Sequence, residues 1–186
     1  MADAAQRDPT ASGLDDVVAA ETQLSDVDGA RGQLVIRGHA VEELVAAATF
    51  EDAVFLMWNG AMPSPAEREQ LRASLAAGRN ASFATLPLLG LALETPDAMD
   101  ALRGAVAHLI ASGDLATDRV QLTAAIPVFA AAWHRARSGQ SPVRPQAALT
   151  HAADYLQMLS GETPRPERVR GLDAYLTCVV DHGMNA

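Results

Sequence analysis

The chain has 186 residues, of which 49% are hydrophobic and only 4% aromatic, and its formal net charge is −9. That length and apolar content suffice for one folded domain or part of a larger one, and they exclude a disordered, solvating chain. Every basic residue is arginine and none forms a stripe, so nucleic acid is a poor partner, because phosphate neutralisation dominates such binding.

Residues 1–12 read as a mobile tail. The structured part begins at Gly13, and the turn-rich stretch Asp26 to Gly32 leads into the alternating run Gln33-Leu34-Val35-Ile36-Arg37, a pattern that predicts a small N-terminal β-hairpin. Helical signals dominate from there. Val41 to Ala48 is a short amphipathic helix, and Thr49 with Asp52 has the spacing of a capping box for a helix ending at Asn59-Gly60. Ser64-Pro65-Ala66-Glu67 opens the next helix, with Ser at the N-cap and Pro at the first turn; Gly78 is expected to end it. Ala81 to Leu93, broken by Pro87 and Gly90, reads as buried and only partly helical.

Ala98 to Ala111 and Thr117 to Arg137 are the next predicted helices. The second is expected to kink at Pro127, and its segment Ala124 to Trp133 is apolar nearly all round, as a helix buried on most sides would be. Gly139 to Pro145 is a loop, and Ala147 to Leu159 and Pro166 to Asp181 complete an all-α chain. Aromatic poverty agrees, since a core of Ala, Leu and Val suits closely packed helices.

Few site patterns are present. A GxxxxGK phosphate loop is impossible without lysine, and the five histidines (His39, His108, His134, His151 and His182) never fall at the i, i+4 spacing of a helical zinc pair. The single cysteine, Cys178, lies among apolar neighbours and reads as a buried, inert thiol; one cysteine also suits a reducing compartment. No stretch approaches the roughly 20 apolar residues of a membrane span. The polar, acid-bearing start is unlike a signal peptide, so a cytoplasmic location is expected. Two short segments hold more information: Arg37-Gly38-His39 after the strand, and Asp181-His182-Gly183-Met184-Asn185 after an apolar helix. Either can be simple chain punctuation. The second can also place an imidazole at a pocket edge beside an amide that both donates and accepts.

From about Gly13 onward the chain resembles the N-terminal half of citrate synthases and 2-methylcitrate synthases. The matching stretches are Val18-Ala19-Ala20-Glu21-Thr22, Val27-Asp28-Gly29 through Arg37-Gly38, Thr49-Phe50-Glu51-Asp52 into Leu56 to Gly60, and Met99 to Arg103. They continue with Ile126-Pro127, His151 to Leu156, Met158-Leu159 and the terminal Asp181-His182-Gly183-Met184-Asn185-Ala186. The resemblance implies an almost wholly helical large domain, incomplete over residues 13–186. It further implies an acyltransferase that condenses acetyl-CoA, or propionyl-CoA in the methylcitrate variants, with oxaloacetate, using no metal or redox cofactor.

His182 matches the histidine of the family's Asp-His-x-x-Asn-Ala motif, which hydrogen-bonds oxaloacetate, and Asn185 matches its asparagine. Neither is a catalytic acid or base. The family's catalytic histidines, in Gly-Pro-x-His-Gly and Gly-x-Gly-His motifs, and its catalytic aspartate are expected beyond Ala186, so no catalytic residue is assigned here and this chain alone is expected to be inactive. Val179 and Gly183 depart from the histidine and glutamate of many bacterial relatives. The resemblance also implies a homodimer through residues 98–137, with Val128, Phe129 and Trp133 of that stretch expected to be exposed in an isolated chain. A catalytically dead paralogue serving as a helical interaction module is the reading of a different class.

Overall fold

The structure, a computed structural model, describes residues 21–183; the tail expected over residues 1–12 lies outside them. Strands β1 (Ser25–Asp28), β2 (Gln33–Ile36) and β3 (His39–Ala40) form an antiparallel sheet in that order. The predicted hairpin is β1–β2, with Ser25 opposite Ile36 and Asp28 opposite Gln33. The third strand arises because Arg37 and Gly38 both take positive φ, 49° and 85°, the backbone that a two-residue hairpin turn requires. Arg37 is held in this unfavourable region for a non-glycine residue by its guanidinium, which donates to the Met57 carbonyl at 3.0 Å.

Among the described residues seven helices follow: α1 (Val41–Ala47), α2 (Phe50–Asn59), α3 (Pro65–Glu94), α4 (Ala98–Val106), α5 (Leu115–Arg137), α6 (His151–Ser160) and α7 (Pro166–Cys178). The two expected starts are present as reciprocal capping boxes, Thr49 with Asp52 and Ser64 with Glu67, and Gly60 closes α2 in the left-handed conformation at φ 78°.

The predicted stop at Gly78 is wrong. Helix α3 runs through it, and the glycine lies where α3 crosses α5: a Cβ built there would sit 2.7 Å from the Ala124 methyl. The missing side chain admits a neighbouring helix and leaves α3 unbroken. The stretch Ala81 to Leu93 is also more helical than expected. Pro87 sits on an exposed face, and the break comes only at Gly90 (φ 30°, ψ −108°). One face of this stretch is buried through Ser82, Leu86 and Leu89, whereas Leu88 and Leu91 are 72% and 82% exposed.

Helix α4 stops at Val106, not at Ala111, because His108 and Leu109 donate back only three residues, to Ala105 and Val106, and tighten the end of the helix. Helix α5 starts two residues before the expected Thr117, capped by Asp114, and continues without interruption past Pro127. Helix α6 starts at His151, capped by Thr150, four residues after the expected Ala147.

Three apolar clusters hold these elements together. Leu86, Leu89, Ala105, Ala125, Val128, Phe129 and Met158 join α3, α4, α5 and α6. Ile36, Leu44, Ala53 and Leu56 fasten the sheet to α1 and α2, and Val54, Leu71, Leu75 and Ala124 link α2 to α3 and α5. The prediction of a mostly buried Ala124–Trp133 segment holds. The expected exposure of Val128 and Phe129 does not: both are 1% exposed, because the ends of α3 and α4 already cover them. No helix among the described residues is long and apolar enough to cross a membrane.

Candidate functional site

His182 follows α7, and the chain reaches it in a fixed order. The α7 backbone ends with Val179 donating to Tyr175 and Val180 donating to Thr177. The Val180 side chain packs between the cluster under the sheet and the α2–α3–α5 cluster. Asp181 then accepts a hydrogen bond from the Ser25 hydroxyl of β1, 156 positions earlier in the chain. His182 emerges beyond these two anchors as an exposed side chain, and Gly183 next to it takes φ 71°. The structure thus places the predicted imidazole at an edge where helix and sheet meet. Among the described residues no ion pair joins it to Asp181, whose carboxylate is turned to Ser25 instead. Asn185, the predicted companion, lies outside the described residues.

Cys178 is exposed, not buried as the sequence suggested. Its apolar neighbours are spread around the helix, and Thr177, fully buried with its hydroxyl on the Asp173 carbonyl at 2.9 Å, takes the inward position.

The largest polar feature of the interior was invisible in the sequence. Arg79, 1% exposed, donates through Nε to Asp154 Oδ2, through Nη2 to the Leu149 carbonyl at 3.3 Å, and lies 3.3 Å from His151 Nδ1 through Nη1. A guanidinium has no acceptor, so His151 Nδ1 must accept and its proton must sit on Nε2. Burial, with the nearby Arg79 charge, pushes the His151 imidazole down to about 3, so it is neutral at physiological pH. Asp154 is further satisfied by the Gln146 amide at 2.8 Å, and the His151 amide donates to Glu51 Oε1 at 2.9 Å. These contacts tie α2, α3, the 139–150 loop and α6 into one unit. They serve packing, since every strong partner is internal.

On its far side, His151 borders an apolar groove of about 440 Å³ between α5, α6 and α7, lined also by Phe50, Ile126, Tyr155, Leu172 and Tyr175. Among the described residues no arginine lines it, so none of them offers a counter-charge to a dianion. Asp173, which accepts from the Phe50 amide at 3.2 Å, has its carboxyl pushed up by burial, and the charges of Glu51 and Asp52 push it in the same direction. Among the described residues no group of three or more His, Cys, Asp or Glu side chains is placed to hold a metal ion.

Comparison with known proteins gives this edge a context. A family model described as citrate synthase, C-terminal domain, matches residues 13–186. The citrate synthase of Haloferax volcanii is 36% identical over 94% of this chain and 49% of its own length. The 2-methylcitrate synthase of Mycobacterium tuberculosis (strain Erdman) is 30% identical over 97% of the chain and 48% of its own. The crystal structure of citrate synthase from Thermotoga maritima superimposes with a TM-score of 0.82 at 27% identity, over 94% of this chain and 47% of that one. The chain spans about half the length of the curated relatives it matches. With a matching fold, and a family match that runs from Gly13 through the His182 segment, the chain belongs to the citrate synthase family.

Proposed function

We propose that residues 13–186 form the front portion of the large domain of a citrate synthase-type acyltransferase, which condenses acetyl-CoA with oxaloacetate to citrate and CoA. The observation that carries this reading is the family match across those residues; Asp181, His182 and Asn185 stand in the order of the Asp-His-x-x-Asn-Ala motif that the resemblance supplies. In this reading His182 donates a hydrogen bond to oxaloacetate, and Asn185 donates and accepts beside it. A net charge of −9 opposes a dianionic substrate over the surface as a whole, so local donors of this kind have to supply the attraction. No cofactor is needed, because acyl-CoA is itself a substrate. A 2-methylcitrate synthase acting on propionyl-CoA is the second reading, favoured by the mycobacterial relative. The proton-transferring groups that the family resemblance places later are not among these 186 residues, so the chain by itself should release no thiol from acyl-CoA.

A homodimer through residues 98–137 belongs to the same proposal. Met99 of α4, Leu115 of α5 and Ile110 in the segment between them are 71%, 79% and 84% exposed, and Leu122 and Ile126 are partly so, more apolar surface than two solvated helices and their connection need. The single cysteine fits a cytoplasmic setting.

The test is calorimetric titration of oxaloacetate into the full-length protein that contains this chain and into its His182→Ala variant, with a melting curve for each. Loss of a hydrogen bond to a charged ligand, roughly 1.5–3 kcal/mol, should weaken oxaloacetate binding by about one to two orders of magnitude. Acyl-CoA binding should change less. An unaltered oxaloacetate affinity in a folded variant removes His182 from the site.

A further inference from the structure

We propose that Ser25 is a positioning residue for the His182 site: its hydrogen bond to Asp181 fixes the outlet of α7 against β1 and sets where the imidazole stands. The proposal rests on the reading of His182 as an oxaloacetate ligand. Two observations support it. Val180 and Asp181, the residues immediately before His182, are each anchored, one by packing between two apolar clusters and the other by the Ser25 hydroxyl. By contrast His182 and Gly183 are exposed, and no hydrogen bond or ion pair is found for the His182 side chain among the described residues. An exposed imidazole just past a helix end samples many positions unless the residue before it is held, and a ligand then has to select the competent fraction.

Ser25 itself is held on the sheet. It pairs with Ile36, which is fully buried, and the adjoining Leu24 carbonyl accepts from the Arg37 amide at 2.8 Å. Asp181 therefore docks on a strand that is fastened to the α1–α2 core through β2. The contact also settles what Asp181 does. One oxygen of its carboxylate is engaged by Ser25, and no ion pair among the described residues ties it to the imidazole.

The experiment uses the isotope-labelled full-length protein that contains this chain, in wild-type form and as Ser25→Ala and Ser25→Thr. Oxaloacetate is titrated while the His182 ring resonances are followed, with a melting curve and amide exchange at Asp181, His182 and Gly183 for each protein. Ser25→Ala should melt as the wild type does, exchange faster at those three amides, and need roughly fivefold to tenfold more oxaloacetate for the half-maximal ring shift. Ser25→Thr keeps the hydroxyl and should behave as the wild type. If the wild-type ring responds to oxaloacetate and folded Ser25→Ala responds at the same concentration, the positioning role is wrong while the site stands. A Ser25→Thr variant as impaired as Ser25→Ala also overturns it. If the wild-type ring ignores oxaloacetate, the site reading fails and the positioning role fails with it.

Discussion

Replacing Gly78 with alanine sets two effects of known size against each other. In a helix interior Ala is favoured over Gly by about 0.8–1.0 kcal/mol, so the change would stabilise an isolated α3. In the folded chain the new methyl would lie 2.7 Å from the Ala124 Cβ and 3.7 Å from the Val120 carbonyl oxygen, whereas carbon atoms in good contact are about 3.5–4.0 Å apart. Helix α5 cannot yield freely, because Ala124, Ala125, Val128 and Phe129 are all buried on the same stretch. Overpacking of this kind costs about 1–3 kcal/mol. The net result should be a loss of up to roughly 2 kcal/mol and a melting temperature lower by up to roughly 8 °C. Urea titration followed by far-UV circular dichroism measures it. The double variant Gly78→Ala/Ala124→Gly moves the methyl to the other side of the contact, so it should lose clearly less than the sum of the two single changes. A Gly78→Ala chain more stable than wild type, or strict additivity in the cycle, would refute the close crossing of α3 and α5.

Asp154→Ala leaves the Arg79 guanidinium buried without its carboxylate and should cost about 3–5 kcal/mol by the same denaturant assay; a loss below about 1 kcal/mol would mean that the pair is solvated. His151 supplies a pH dependence whose sign is determined by its lowered pKa. In the unfolded chain the imidazole takes its proton near 6.5 but in the folded chain only near 3, so the unfolded state binds the extra proton in between. Its contribution to stability is fully present above about pH 6.5 and is lost as the pH falls toward 3, by up to ~1.4 kcal/mol per unit. His151→Gln, which keeps an acceptor for Arg79, should show a shallower loss over that window, and parallel stability curves for the two proteins would exclude the buried neutral imidazole.

Local chemistry is what the sequence determined by itself. Thr49 with Asp52, Ser64 with Glu67 behind Pro65, and Gly60 after Asn59 each act within one helical turn, so the residues needed to recognise them are adjacent in the chain. The β1–β2 hairpin and the ordering of an all-α chain were legible for the same reason, and the family resemblance was carried by contiguous stretches up to His182. What only the tertiary structure decided depends on residues far apart in sequence. Gly78 looked like a helix end until Ala124 was placed against it, and Cys178 looked buried until Thr177 took the inward position. Val128 and Phe129 were expected to face outward and are covered by α3 and α4. The Arg79–Asp154–His151 cluster and the Ser25–Asp181 contact span 75 and 156 positions respectively. No periodicity or spacing rule reaches that far, because which side chains meet across such distances is decided by how the helices pack.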